Sequence, residues 1–266
     1  MALNENLVVA SKRDDVSVDV VLRQLARRYP ASLVDGQLRD VPRILFNIGL
    51  VTRRMGLDVS ICDLGGGIGL FSLGCAAMGM RSTLVDDFSD AVNFKFQAVP
   101  TTLHGPAGVN VLSCDVVASP PRFGANSLDV VTCFDSMEHW HHSPKALFHQ
   151  IMTWLRPGGL LVIGVPNCVN LRKRLTVPFG RGKWSSMEEW YEHAQFRGHV
   201  REPDVGDLRH IAADLGLENV EIVGRNWLGY YHRSALIRLV TRLIDVPLRA
   251  APSLCADLYL LGHKRS

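Results

Sequence analysis

The sequence has no apolar run approaching the roughly 20 residues that a membrane-spanning helix requires. It also lacks a dominant charge. Lys and Arg number 29 against 26 Asp and Glu, a net charge of +3, so no broad basic surface argues for a nucleic-acid partner. Met1 to Asp15 is polar and carries no apolar h-region, so no secretory signal and a cytoplasmic location are expected. Cysteine is sparse: the six at 62, 75, 114, 133, 168 and 255 sit mostly in apolar segments, without zinc-ligand or disulfide-framework spacing. Reduced core thiols are expected, and no metal. What the chain does have is apolar residues, at 47% of 266, enough for the core of one large domain or of one domain with an appendage.

The most informative stretch is Ile61-Cys62-Asp63-Leu64-Gly65-Gly66-Gly67-Ile68-Gly69, followed by an apolar run from Leu70 to Met78. It reads as a buried strand, a glycine turn and a helix. Glycines at 65, 67 and 69 allow a sharp turn and close approach by a ligand, and the helix start offers free N–H groups. The dinucleotide fingerprint G-x-G-x-x-G does not fit, because Leu70 or Ser72 stands where the third glycine belongs. Asp63 would also repel a pyrophosphate.

Downstream the chain alternates strand and helix patterns. Ser82 to Asp87 reads as a second strand ending in acids, and Val109 to Val116 as a third with Asp115 near its end. Ser127 to Asp135 reads as a fourth strand, containing Phe134 and followed by Glu138-His139-Trp140-His141-His142. A helix over 144–155 then leads through Leu155-Arg156-Pro157-Gly158-Gly159 into a fifth strand, Leu160 to Val165. The alternation predicts an α/β fold: a doubly wound, seven-stranded, mostly parallel sheet with right-handed crossovers.

Three features in order, D-x-G-x-G-x-G at 63–69, Glu138-His139, and L-R-P-G-G at 155–159, resemble the class I S-adenosylmethionine-dependent methyltransferases over roughly residues 58–168. The resemblance implies S-adenosylmethionine as cofactor. It assigns Asp63, Gly65, Gly67 and Gly69 to the cofactor loop and Asp86 to the ribose hydroxyls, with Asp87 as alternate. Asp115 would accept from the adenine amino group beside the Val116 N–H, and Phe134 and Asp135 would border the cofactor. The family fold also implies strand seven antiparallel between strands five and six. The fourth-strand loop is expected to face the methyl end, which makes His139 the best candidate there for chemistry; the expected base is His139 or His199, with Glu138 as its orienting partner.

Residues 1–57 are expected to form a helical cap, with helices over 16–29 and about 38–55, ahead of a core at 58–168. Residues 169–266 would then form a substrate cover and the last two strands. In the cover, basic residues (Arg172, Lys173, Arg174, Arg181, Lys183) alternate with Phe179, Trp184, Trp190, Tyr191 and Phe196. By resemblance to small-molecule and glycan methyltransferases, His199 in Gly198-His199-Val200-Arg201-Glu202 would project into the acceptor pocket. Residues 234–248 read as an amphipathic helix carrying arginines, suited to packing, dimer formation or peripheral membrane contact. The expected reaction is O-methylation of a small-molecule, glycan or lipid-linked acceptor. The alternatives are a nicotinamide oxidoreductase and a non-catalytic cofactor-binding protein.

Overall fold

The structure is a computed structural model that describes residues 18–89, 95–182, 185–192, 196 and 198–266. Residues 16 and 17 of the first expected helix, and Lys183 and Trp184 of the expected cover, lie outside them. The chain divides into two compact units, Met1–Ser113 and Cys114–Ser266.

In the first unit, β1 (Ser60–Leu64), β2 (Arg81–Asp86) and β3 (Asn110–Ser113) run parallel, with Cys62 opposite Thr83 and Val85 opposite Leu112. Ile61, Cys62 and Leu64 are almost wholly buried, as a strand covered on both faces must be. Among the described residues, helices α1 over 18–26, α2 (Ala31–Met55) and α3 (Leu70–Ala77) accompany these strands. α2 starts directly after Pro30, earlier than the expected 38, because proline fixes the first-turn backbone without needing an N–H partner. The N-terminal helices pack onto α3. A Cβ on Gly74 would meet Leu22 Cδ2 at 2.7 Å and Ile48 Cδ1 at 2.8 Å.

In the second unit, β4 (Leu128–Phe134) and β5 (Leu155–Pro166) are parallel and joined through α4 (Lys145–Trp154). The register jumps from Leu128↔Leu155 to Val130↔Leu160. The proline-glycine-glycine turn is therefore an irregularity inside β5 instead of a connector ahead of it, with Gly158 left-handed at φ 73°. β7 (Asp257–His263) runs antiparallel between β5 and β6 (Glu218–Arg225), as the resemblance implied. The sheet order β3-β2-β1-β4-β5-β7-β6 is the expected seven-stranded, mostly parallel arrangement.

Short helices α5 (Leu171–Thr176) and α6 (Met187–Tyr191) fall in the expected cover, followed by α7 (Val205–Asp214) and α8 (Trp227–Tyr231). The expected amphipathic helix is α9 (Ala235–Arg249), and it is turned inside out. Its polar residues Thr241 and Asp245 are buried, while Leu236, Leu239, Leu243 and Val246 are 54–68% exposed. Asp245 accepts from Asn226 Nδ2 and Tyr230 Oη, both at 2.8 Å, and pairs with Arg249. These partners satisfy a carboxylate that would otherwise be costly to bury. Among the described residues, no helix is long and apolar enough to cross a membrane.

Candidate active site

The glycine elbow follows β1 in the first unit. Gly65 and Gly67 are left-handed, at φ 68° and 57°, a region in which a side chain would be strained. The loop is held by the strand beside it: the Gly65 N–H donates to Val85 O at 2.7 Å, and the Gly67 N–H to Asp86 Oδ2 at 2.9 Å. The other Asp86 oxygen accepts from the Phe88 N–H at 2.7 Å. Asp86, expected at the ribose, thus also fastens the loop. Asp87 lies exposed next to it and accepts from Ser89 through both backbone and hydroxyl. Asp63 is tucked beneath the loop, where Ser72 Oγ donates to it at 3.1 Å. A Cβ on Gly66 would come within 2.3 Å of that carboxylate. Gly69 closes the loop as the residue before α3, and its carbonyl lies 3.0 Å from Nε2 of the fully buried His104. Burial lowers the His104 pKa. Three carboxylates at strand ends beside a glycine loop suit hydroxyls and cationic groups and would repel a pyrophosphate. This donor set fits a sulfonium-bearing nucleoside cofactor.

The remaining expected residues belong to the second unit. Asp115 is exposed, and its Oδ1 accepts from the N–H groups of Val117 and Ala118, while Val116 is buried. Phe134 closes β4 and packs on Tyr259 with ring centroids 6.1 Å apart. Asp135 follows with φ 48°, a strained backbone for a residue other than glycine, and its N–H donates to Gly164 O at 2.9 Å.

Directly after Asp135, a 3₁₀ turn over Met137–His139 presents both Glu138 and His139 to one place. Alternation along an extended segment would send these neighbours to opposite sides, but successive 3₁₀ residues are only about 120° apart. The turn also recruits His199 from 60 positions away. The carbonyl of Glu138 accepts from Val200 N–H at 2.7 Å and Arg201 N–H at 3.2 Å, clamping that segment against it. A capping box between Asp204 and Asp207 then starts α7 and fixes the segment from its other end. One ligand atom each from Glu138, His139 and His199 lies within 4.8 Å of the others, and the two imidazoles meet edge to face. The expectation of no metal rested on spacing along the chain, which cannot register this gathering.

Glu138 is 1% exposed, and among the described residues its Oε2 has no hydrogen-bond partner. Burial, with the nearby Asp135 charge adding to it, pushes its pKa up to about 8. His199 Nδ1 lies 2.7 Å from Glu202 Oε1, and Lys173 holds the other Glu202 oxygen. That hydrogen bond raises the His199 pKa. Burial alone would raise Glu202, but the bonds from His199 and Lys173 outweigh it and bring the carboxyl to about 2. The residue that orients a histidine is therefore Glu202 acting on His199. The expectation gives that part to Glu138, acting on His139 or His199. The spacing His199-x-x-Glu202 was visible, but nothing along the chain showed that Lys173 would secure it.

A family profile described as a methyltransferase domain matches residues 18–222. No curated protein matches the sequence significantly. Among solved structures, the chain is similar to phosphoethanolamine N-methyltransferase 2 of Haemonchus contortus in complex with S-adenosyl-L-methionine, at 19% identity and TM-score 0.54. That match covers 83% of this chain and 52% of the other, so the chain spans about half the length of that protein. It is also similar to magnesium protoporphyrin IX methyltransferase of Synechocystis PCC 6803 with bound SAH, at 15% identity and TM-score 0.55, covering 90% and 89%. A SAM-dependent methyltransferase of Archaeoglobus fulgidus is similar at 17% identity and TM-score 0.55, covering 85% and 94%. At these identities the likeness is one of fold. The family profile spans most of the chain, and the chain belongs to the methyltransferase-domain family.

Proposed function

We propose that the chain transfers a methyl group from S-adenosylmethionine to a hydroxyl of a small-molecule, glycan or lipid-linked acceptor, with the Glu138–His139–His199 cluster receiving the acceptor's proton. The observation that carries this reading is the Glu202–His199 pair in that cluster. Glu202 accepts from Nδ1, which leaves Nε2 bare and aimed by a carboxylate that Lys173 holds in place. A positioned base of this kind contributes about 10²–10⁴-fold. His139 and Glu138 border the same space. The cofactor supplies a methyl on a sulfonium that is already activated, so alignment of the acceptor carries much of the remaining barrier, up to roughly 7–11 kcal/mol.

For the cofactor itself, the reading uses Asp63, Gly65, Gly67 and Gly69 with Asp86, or Asp87, in the first unit. In the second it uses Asp115, Val116, Phe134 and Asp135. The dual hold that Gly67 and Phe88 exert on Asp86 supports a carboxylate fixed for a diol.

The proposed lipid-linked class of acceptor draws on α9, whose apolar face is exposed and whose Arg238 and Arg242, with Arg233 just ahead of it, suit an anionic lipid surface. Solved neighbours include an N-methyltransferase and a magnesium protoporphyrin IX methyltransferase, so nitrogen acceptors and a porphyrin belong in the same assay. The test is turnover of cofactor with a labelled methyl across hydroxyl, amine and porphyrin acceptors, free and in vesicles. Label found only on nitrogen would overturn O-methylation. Cofactor binding with no transfer to any acceptor class would leave a non-catalytic binding protein.

A further inference from the structure

We propose that Glu138, His139 and His199 form a binding site for one divalent transition-metal ion, of the zinc or manganese class. The inference deepens the acceptor-site reading and rests on it only for location. Two imidazoles and one carboxylate make a donor set suited to first-row transition ions, whereas magnesium and calcium sites are built mainly from oxygen ligands. The three ligand atoms lie within 4.8 Å of one another. Around an ion with bonds of about 2.1 Å, such atoms are roughly 3–3.4 Å apart, so closure takes about an ångström of side-chain movement.

Two observations independent of the cluster's composition point to a ligand. The Glu138 side chain is buried, 1% exposed, and among the described residues its Oε2 reaches no hydrogen-bond donor, a costly arrangement that a cation would relieve. His199 is also prepared as metal-binding histidines are. Its Nδ1 donates to Glu202, which fixes the tautomer and leaves the Nε2 lone pair for an ion. Lys173, pairing with the second Glu202 oxygen, completes that outer support. With an ion seated, the two histidines would hold it in place of acting as base; an acceptor hydroxyl on an open coordination position would be acidified by the ion and would release its proton to solvent water before its oxygen takes the methyl.

The experiment uses the full chain, stripped with EDTA and dialysed, then titrated with Zn²⁺ and Mn²⁺ by calorimetry. Co²⁺ absorption spectra of the unmutated protein provide a readout that does not depend on any variant folding. The expected result is one ion per chain and a Co²⁺ spectrum showing nitrogen ligands. Binding should be lost in His199→Ala and weakened about 10–100-fold in Glu202→Gln, which keeps the first ligands but loses their support. No one-to-one binding at millimolar ion, or binding unchanged in both His199→Ala and Glu138→Gln, overturns the site. Methyl transfer by protein that binds no ion overturns the metal while leaving the proposed transfer standing. One-to-one binding without transfer to any acceptor keeps the metal site and removes the proposed transfer instead.

Discussion

The glycine elbow and the Glu138 cluster treat their carboxylates in opposite ways. At the elbow, Asp63 and Asp86 are each engaged by the fold's own donors, Ser72 for one and two backbone N–H groups for the other. At the cluster, Glu138 is 1% exposed, yet one of its oxygens has no hydrogen-bond partner among the described residues. The first region is closed by its own hydrogen bonds before anything binds. The second is left incomplete by the described residues, and the proposed cation would supply the missing partner. Preorganised regions lose affinity when altered, and incomplete ones lose chemistry, so the two should respond differently to substitution.

The largest effect is expected at the cluster. His199→Ala or His139→Ala should lower kcat by about 10²-fold or more with the true acceptor, while cofactor affinity stays nearly constant. Glu202→Gln should move in the same direction, because it removes the charge that aims His199. Full turnover in the double histidine variant would break the comparison at once.

At the elbow the effect should fall on binding instead. Loss of a charge-assisted hydrogen bond costs about 1.5–3 kcal/mol, so replacing the true ribose ligand by Asn should weaken cofactor binding roughly ten- to 150-fold. Calorimetry on Asp86→Asn and Asp87→Asn decides between the two. A melting temperature that falls in Asp86→Asn alone would mark its hold on Gly67 as the structural share of the loss.

A third expectation concerns rigidity. Gly66→Ala would place a Cβ 2.3 Å from Asp63 Oδ2 and 2.7 Å from Leu84 Cδ1, an overpacking that should cost about 1–3 kcal/mol of stability. Denaturant midpoints measure it. An unchanged midpoint would show that the elbow is looser than its bonding implies.

The smallest effect is a pH dependence. Burial depresses the folded pKa of His104 below the ordinary 6.5. The unfolded chain therefore takes up a proton first on acidification. His104's contribution to stability is intact above about pH 6.5 and is lost as pH falls through the lower folded value. His104→Gln should flatten the difference in unfolding midpoint between pH 7.5 and 5.5, and an identical slope in both proteins would remove His104 as its source.

The sheet was legible because each strand of the α/β core is a short apolar run punctuated by glycine or acid, and periodicity survives without knowledge of the partner. The elbow was legible for the same reason, since all its residues lie within one strand–turn–helix. The start of α2 is hidden in the sequence because Asp35, Gly36 and Gln37 interrupt the apolar pattern soon after Pro30. The Glu202 contact to His199 escapes the sequence for a different reason. His199 reaches Glu138 only through two backbone hydrogen bonds between segments 60 positions apart, and no local pattern encodes that pairing. The inverted burial of α9 was equally invisible. Its helical period was correct, but the period does not say which face meets the protein.

The support that Lys173 gives Glu202 has a consequence for anyone recombining relatives of this chain. The segment after β5 reads as a module, to be exchanged for a new acceptor preference while the sheet is kept. Yet Lys173 stands near its start and His199 and Glu202 near its end, and the three form one electrostatic assembly. A chimera whose crossover falls between residues 173 and 199 would separate a half-buried lysine from its carboxylate and leave a histidine unaimed. Crossovers placed within β5 and α7 carry the assembly whole, and those are the seams along which this fold tolerates being cut and rejoined.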